Sequence, residues 1–255
     1  NLKKLNSRKT FEKIVKTILS LFYKTKGVVT AENYFVGYTK ILLKGKSYFL
    51  PRNALHRPAC SAFLSGKYYE PQTHEYIRNL MIEKPGNLIH AGTFFGDMIP
   101  SFSEVIGNGF FLYAFEPVLE NYILAKKCIQ ENNIMNTILL NTGLSSKFEV
   151  TRIETVAKKK GRIIKLGGAS YITKGGNQII NCMSIDQLHL DNLTCIQLDV
   201  EGHELHALKG AKATIEKNSP VILVEDNNNN CSDFLNSLGY HKIKQLPGLT
   251  VWNCI

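Results

Sequence analysis

The chain has 255 residues, 44% of them hydrophobic and 20% charged, and a formal net charge of +10. It is long for a single α/β domain, too short for two full ones, and apolar enough for a sizeable core. There is no run of about 18 apolar residues to offer a membrane span, and the six cysteines lack CxxC pairs and metal-like spacing, so reduced thiols in a cytoplasmic protein are expected.

The charge is localised. Residues 1–46 hold 11 Lys and Arg against Glu12 and Glu32, while the remainder holds 20 against 19 acids. Phe11, Ile14, Val15, Ile18, Leu19 and Phe22 follow helical spacing with Lys13, Lys16 and Lys24 around them, which predicts an amphipathic helical arm. Such an arm docks on its own domain, on an anionic membrane surface or on a polyanionic substrate; no nucleic-acid-binding motif accompanies it, so no nucleic acid is expected. No basic-then-apolar leader is visible, and the first residue is Asn1, compatible with missing upstream sequence. From Val28 to Leu50 the alternation predicts a hairpin turned at Lys44-Gly45-Lys46, and a turn at Glu70-Pro71 opens a helix that runs to Pro85-Gly86. This divides the chain into 1–67, a basic arm and hairpin, and 68–255, the main domain.

The stretch Asn87–Asp97, NLIHAGTFFGD, is a short apolar strand ending in a turn held by Gly92 and Gly96, with a helix beginning in MIPSFSEVI. A strand, a glycine turn and a helix in that order open a nucleotide-type α/β site, although an ordinary βα turn has the same outline. The next strand, GFFLYAF, ends at Glu116, where an acid about 20 residues beyond the turn accepts the hydrogen bonds of a ribose diol. Gly92 and Gly96 enclose Thr93, Phe94 and Phe95, and bulky aromatics inside the loop argue against the close pyrophosphate approach of NAD or FAD. S-adenosylmethionine suits the pattern better.

After a helix over VLENYILAKKCIQEN, the third strand ends near Asn141 and Thr142. Residues 147–185 break the alternation: KFEVTRIETV and NQIINCMSI read as strands around basic and glycine-rich segments, a natural place for substrate choice. CIQLDV is then a buried strand, HELHALKGAKATIEK a helix and VILVE the next parallel strand, so Asp199 and Glu201 emerge together at a carboxyl edge. DNNNN is a polar loop. A short helix and a final hairpin turned at Pro247-Gly248 follow, giving Trp252 a core position.

Taken in order, AGTFFGD, YAFEP, CMSIDQL, QLDVEGHELHALKGA and PVILVE resemble the FkbM family of S-adenosylmethionine-dependent methyltransferases over roughly residues 68–252. The resemblance implies a Rossmann-like class I methyltransferase sheet, mostly parallel with a terminal antiparallel hairpin, and transfer of a methyl group, most simply to a hydroxyl of a carbohydrate, glycolipid or natural product. It implies a cofactor site of His90, Gly92, Thr93, Gly96, Asp97, Glu116, Asn141, Thr142 and Asp199. His90 and Phe94 replace the acid and asparagine with which the family opens its first motif, leaving Asp97 as the nearest acid for the cofactor's amino group. Glu70 on the approach segment with Tyr69, Ser170 in the GGSS-like turn, and Glu225 are substrate-side candidates. Hydroxyl methylation needs a proton acceptor, for which His203, Asp199 and Glu201 are the candidates; the helix dipole at His203 keeps an imidazole neutral. The cluster Asp199, Glu201, His203 and Glu204 is the lesser alternative of a divalent-metal site. A binding module that keeps the fold without turnover is the second functional reading, favoured by His90.

Overall fold

The computed structural model describes residues 25–31, 34–159, 162–226 and 230–254. The amphipathic helix expected over residues 11–22 lies outside them, as do Lys160 and Gly161 of the basic loop and most of the asparagine run. The described chain opens with β1 (Thr25–Ala31), β2 (Tyr34–Leu43) and β3 (Lys46–Pro51), an antiparallel sheet in that order. Lys44 and Gly45 have φ of 49° and 79°, the two left-handed positions of a tight hairpin turn, where it was expected. Helices α1 (Pro58–Leu64) and α2 (Pro71–Glu83) each start with proline, whose fixed φ and missing N–H suit a first turn.

Next come β4 (Asn87–Ala91), α3 (Ile99–Ser103), β5 (Leu112–Phe115), α4 (Leu119–Glu131) and β6 (Thr137–Leu140). The insertion holds β7 (Gly143–Leu144), β8 (Glu149–Glu154), β9 (Val156–Lys159), β10 (Arg162–Lys165), β11 (Tyr171–Ile172) and β12 (Gln178–Met183). Here β8 and β12 are the two expected strands; with β7 and β11 they form a separate sheet in the order β11-β8-β12-β7, and β9 and β10 pair as a hairpin. The chain then returns through β13 (Leu193–Leu198), α5 (Glu204–Lys209), α6 (Lys212–Asn218), β14 (Val221–Val224), α7 (Ser232–Ser237), β15 (Tyr240–Gln245) and β16 (Thr250–Cys254).

The main sheet has the order β15-β16-β14-β13-β4-β5-β6, parallel except for β16, which runs antiparallel to both neighbours. All six residues of β13 are buried, as expected of a parallel strand covered on both faces. Ile89, Phe115, Ile196, Leu208, Ile222 and Trp252 belong to the core on one face, and Leu88, Phe102, Leu112, Leu223 and Val251 to that on the other. The strand order reverses between β4 and β13, and their carboxyl ends form the switch point where open α/β sheets bind ligands.

A third core joins Val36, Tyr48, Phe49 and Leu50 of the N-terminal sheet to Phe63 of α1, Phe94 and Phe95 of the glycine turn, and Ile123, Leu124 and Cys128 of α4. The aromatic pair inside the loop is therefore an anchor.

One helix differs from expectation: residues 203–217 form α5 and α6, broken at Gly210. A Cβ at Gly210 would lie 2.0 Å from the carbonyl oxygen of Ser145, so the break sits where the insertion's backbone crosses the helix. Among the described residues no helix is long and apolar enough to cross a membrane, and all six cysteines are unbridged.

Candidate active site

At the end of β4, Gly92 has φ of 88°, and a Cβ there would lie 1.8 Å from the carbonyl oxygen of Asp199. Only glycine lets the tips of β4 and β13 lie this close. Gly96 (φ 83°) is also left-handed, though less crowded: its Cβ would meet Ala125 Cα at 3.1 Å, so α4 would have to give by a few tenths of an ångström. Between them Thr93 is buried, and the Phe95 ring packs edge-on against Phe63 at 5.4 Å.

Glu116 closes the turn from the neighbouring strand. Its Oε2 accepts the Phe94 N–H at 2.8 Å, and its Oε1 accepts the Val118 N–H at 2.8 Å and Asn121 Nδ2 at 3.4 Å. Burial pushes its carboxyl up to about 8, with these donors pulling the other way. Asn141 donates to the carbonyls of Glu116 and Pro117 at 2.8 and 3.2 Å, fixing the strand tip from behind. Thr142 faces the cavity and donates to the Asn181 carbonyl at 2.9 Å.

Two cavities adjoin at this edge. The first, of about 500 Å³, is lined by Glu116, Asn121, Thr142, Ile153, Ser170 and His203. The second, of about 580 Å³, is lined by Arg57, Tyr69, His90, Asp97, Met98 and Gln197. Gly92, Gly168, Asp199 and Glu201 line both. Of the sequence-named residues, Glu116, Thr142, Ser170 and His203 line one cavity and His90 and Asp97 the other, with Asp199 and Glu201 between them, whereas Thr93, Gly96 and Asn141 line neither and shape the turn and strand tip instead. Glu70 lines neither: it accepts the Thr73 hydroxyl at 3.2 Å and lies beside Gly248. Glu225 lines a third cavity, of about 660 Å³, with Glu201, Glu204, Asp226 and Cys231.

The DVEGHE segment is a bent loop held by its own second glutamate. Glu201 and Gly202 have φ of 54° and 92°, and buried Glu204 accepts the N–H groups of Val200 and Gly202 at 3.0 and 3.1 Å. Glu204 therefore belongs to the backbone rather than to a cation cluster. Among the described residues no group of three or more His, Cys, Asp or Glu is arranged to hold a metal.

Charge density runs high here. Burial, then Glu225 and Glu201, raises Asp199 well above the carboxylate range, and it shares a hydrogen bond with Glu225. Burial and Glu225 push Glu201 to about 7 against the opposing pull of Arg57, and burial pushes Asp97 to about 7. The histidines move the other way. Burial takes His90 down to about 4; its Nδ1 bonds the Gln197 amide oxygen, so Nδ1 holds the proton, and Nε2 is a buried acceptor with no protein partner. His203 also falls to about 4, through burial and then His206, whose ring stacks on it at 4.4 Å. Ser145 gives its proton to Glu149 at 2.5 Å, so His203 Nε2 donates to the serine at 3.3 Å and leaves Nδ1 as acceptor.

Sequence reading passed over Arg57, Gln197 and Asn121. A polar residue inside the apolar run CIQL was the available signal for Gln197; Arg57 and Asn121 carried none, because tertiary packing alone brings them here.

A glycine turn at the switch point, a strand-end acid on the neighbouring strand and a closing antiparallel strand in this sheet order define the Rossmann-like class I methyltransferase fold. The sequence profile of the methyltransferase FkbM domain matches residues 90–242, and the chain belongs to that family. No curated protein matches it in sequence. Similar solved structures include a methyltransferase FkbM from Methylobacillus flagellatus KT, 16% identical with a TM-score of 0.46, over 67% of this chain and 44% of that one. The chain thus spans less than half the length of that relative. Others are a methyltransferase from Geobacter sulfurreducens (10%, TM-score 0.45, 72% and 80% covered) and a SAM-dependent methyltransferase from Aquifex aeolicus (11%, 0.38, 72% and 98%).

Proposed function

We propose that the chain transfers a methyl group from S-adenosylmethionine to a hydroxyl of a carbohydrate, glycolipid or natural product. The observation that carries this reading is the pair of adjoining cavities that share Gly92, Asp199 and Glu201 at the switch point. The walls suit this cofactor: its sulfonium and ammonium are cationic, and Asp97, Asp199 and Glu201 line the second cavity together with the unpartnered acceptor of His90. Glu116 keeps one lone pair, on Oε2, for a ribose hydroxyl beyond the three donors it already holds. Arg57 is the counter-charge for a carboxylate.

When bound, S-adenosylmethionine supplies an already activated methyl group, so the protein chiefly aligns an acceptor, an effect that reaches about 7 to 11 kcal/mol. The acceptor's proton needs a base. Glu201, raised to about 7 and lining both cavities, takes that role best; Asp199 is tied to Glu225, and His203 is tied to Ser145 and lines the first cavity alone. We assign the basic residues 1–46 to an anionic partner such as a membrane surface.

Calorimetry with S-adenosylmethionine and its demethylated product should give one site per chain, and NADH should not bind. Methylation of sugar and lipid-linked glycan pools at saturating cofactor should then fall at least about 10²-fold in Glu201→Gln. Silence of Glu201→Gln beside a comparable loss in His203→Ala would move the base to the histidine. Tight cofactor binding with no turnover on any pool would favour the binding module that His90 suggests.

A further inference from the structure

The insertion between β6 and β13 presents an outer surface that the cofactor site does not use. In the β8–β12 ladder Ile179 lies opposite Arg152 and Asn181 opposite Val150, while Tyr171 lies opposite Glu154. Alternation along a strand puts these residues on one face. Ile153, Ile180 and Cys182 take the other face and are buried, and Ile153 lines the first cavity with Ile172.

An antiparallel sheet covered on one side normally turns polar residues outward. Here Val150 and Ile179, diagonal neighbours, are 63% and 64% exposed, and Phe148 just before β8 is 62% exposed. Tyr171 is exposed on the same face, and Ile163 is exposed on the β9–β10 hairpin. Single exposed apolar side chains need no partner, but a contiguous row marks an interaction surface.

Charge identifies the partner. Residues 147–174 hold eight Lys and Arg against Glu149 and Glu154, whereas the chain outside this insertion and residues 1–46 holds 12 against 17 acids. Both glutamates are engaged, Glu149 by the Ser145 hydroxyl and Glu154 by the Val156 N–H. Lys147, Lys158 and Lys174 are exposed. Exposed apolar side chains and exposed lysines on one insertion combine the two terms of interfacial binding, buried apolar area and attraction to anionic headgroups. The same lysines repel a second copy. We infer that the outer face of the β8–β12 ladder docks the protein on an anionic lipid bilayer, a property independent of the methyl-transfer reading. Docking there leaves one sheet layer between the bilayer and the first cavity.

The test is sedimentation of the full chain with vesicles of phosphatidylcholine alone or mixed with phosphatidylglycerol. The protein should pellet with the mixed vesicles, less so as salt is added, and Phe148→Ser/Val150→Ser/Ile179→Ser should lower partitioning at least about tenfold. The basic N-terminal residues remain in both proteins, so the difference reports the ladder. Phe148→Trp supplies an independent reading, since the introduced indole should shift to the blue on mixed vesicles while Trp252 is buried throughout. If the triple variant melts early, this reporter decides alone. Unchanged partitioning in a folded triple variant, no blue shift, or a dimer that the triple substitution turns into a monomer would each overturn the inference.

Discussion

Replacing Glu204 by alanine removes an acceptor that two backbone donors share. The Val200 and Gly202 N–H groups would both lose their partner. A buried donor left unsatisfied costs about 1–3 kcal/mol, and because Gly202 is exposed, water recovers much of its share, so Glu204→Ala should cost about 1.5–3 kcal/mol. Glutamine keeps an acceptor oxygen at the same reach and also removes a carboxylate that burial disfavours, so Glu204→Gln should cost under about 1 kcal/mol. Urea unfolding measures both, and the midpoint should shift without a change in slope. The alanine variant should also bind S-adenosylmethionine more weakly than the glutamine variant, since Glu201 then loses the support for its left-handed backbone. Equal stability of the two variants would refute the reasoning, because the argument depends on the acceptor and not on the charge.

Glu116 sits at about 8 in the free protein, so donation of a ribose hydroxyl to its ionised form should expel a proton, and affinity should rise between pH 7 and pH 8.5; calorimetry in buffers of different ionisation enthalpy counts that proton, and Glu116→Gln should abolish it. The ligand-free protein should lose stability over the same interval: Glu116 and Asp199 titrate higher folded than unfolded, so the native state holds protons the unfolded chain has shed, and a melting point that climbs from pH 7 to 8.5 would contradict this sign. Gly92→Ala places a Cβ at 1.8 Å from a carbonyl in a left-handed position and should destabilise by roughly 2–5 kcal/mol, read by chemical denaturation; a loss under about 1 kcal/mol would mean that the β4 and β13 tips separate freely. Deleting residues 1–24 should leave cooperative melting and cofactor binding intact, because the cavities draw on residues from Arg57 onward.

Much of this was legible from local pattern. The glycine turn, the acid ending the second strand and the DVEGHE edge sit where their spacing puts them, since a parallel strand followed by a glycine turn leaves little topological freedom. What the sequence hid was set at long range. The split at Gly210 answers to Ser145, some 65 residues away. Phe94 and Phe95 read locally as an obstacle to a pyrophosphate, and they belong instead to a core shared with α1 and the N-terminal sheet. Glu204, at helical reach from Val200, could have been read as a loop-capping acid, because carboxylates gather at helix N-termini. His203 had the right address for a base, but its tie to Ser145 depends on where an insertion folds.

The N-terminal sheet also has a consequence during synthesis. Tyr48, Phe49 and Leu50 are fully buried, partly against Ile123, Leu124 and Cys128 of a helix about seventy residues further along the chain. At roughly 5–20 residues per second the ribosome delivers that helix several seconds after the sheet. In that interval a nascent three-stranded sheet shows an uncovered aromatic face and open edges, the state most prone to pairing with a neighbour. Chains stopped before α4 should therefore accumulate as aggregates or chaperone-bound species, whereas chains released after it should not, and ribosome-stalled chains of graded length would show the solubility step at that helix.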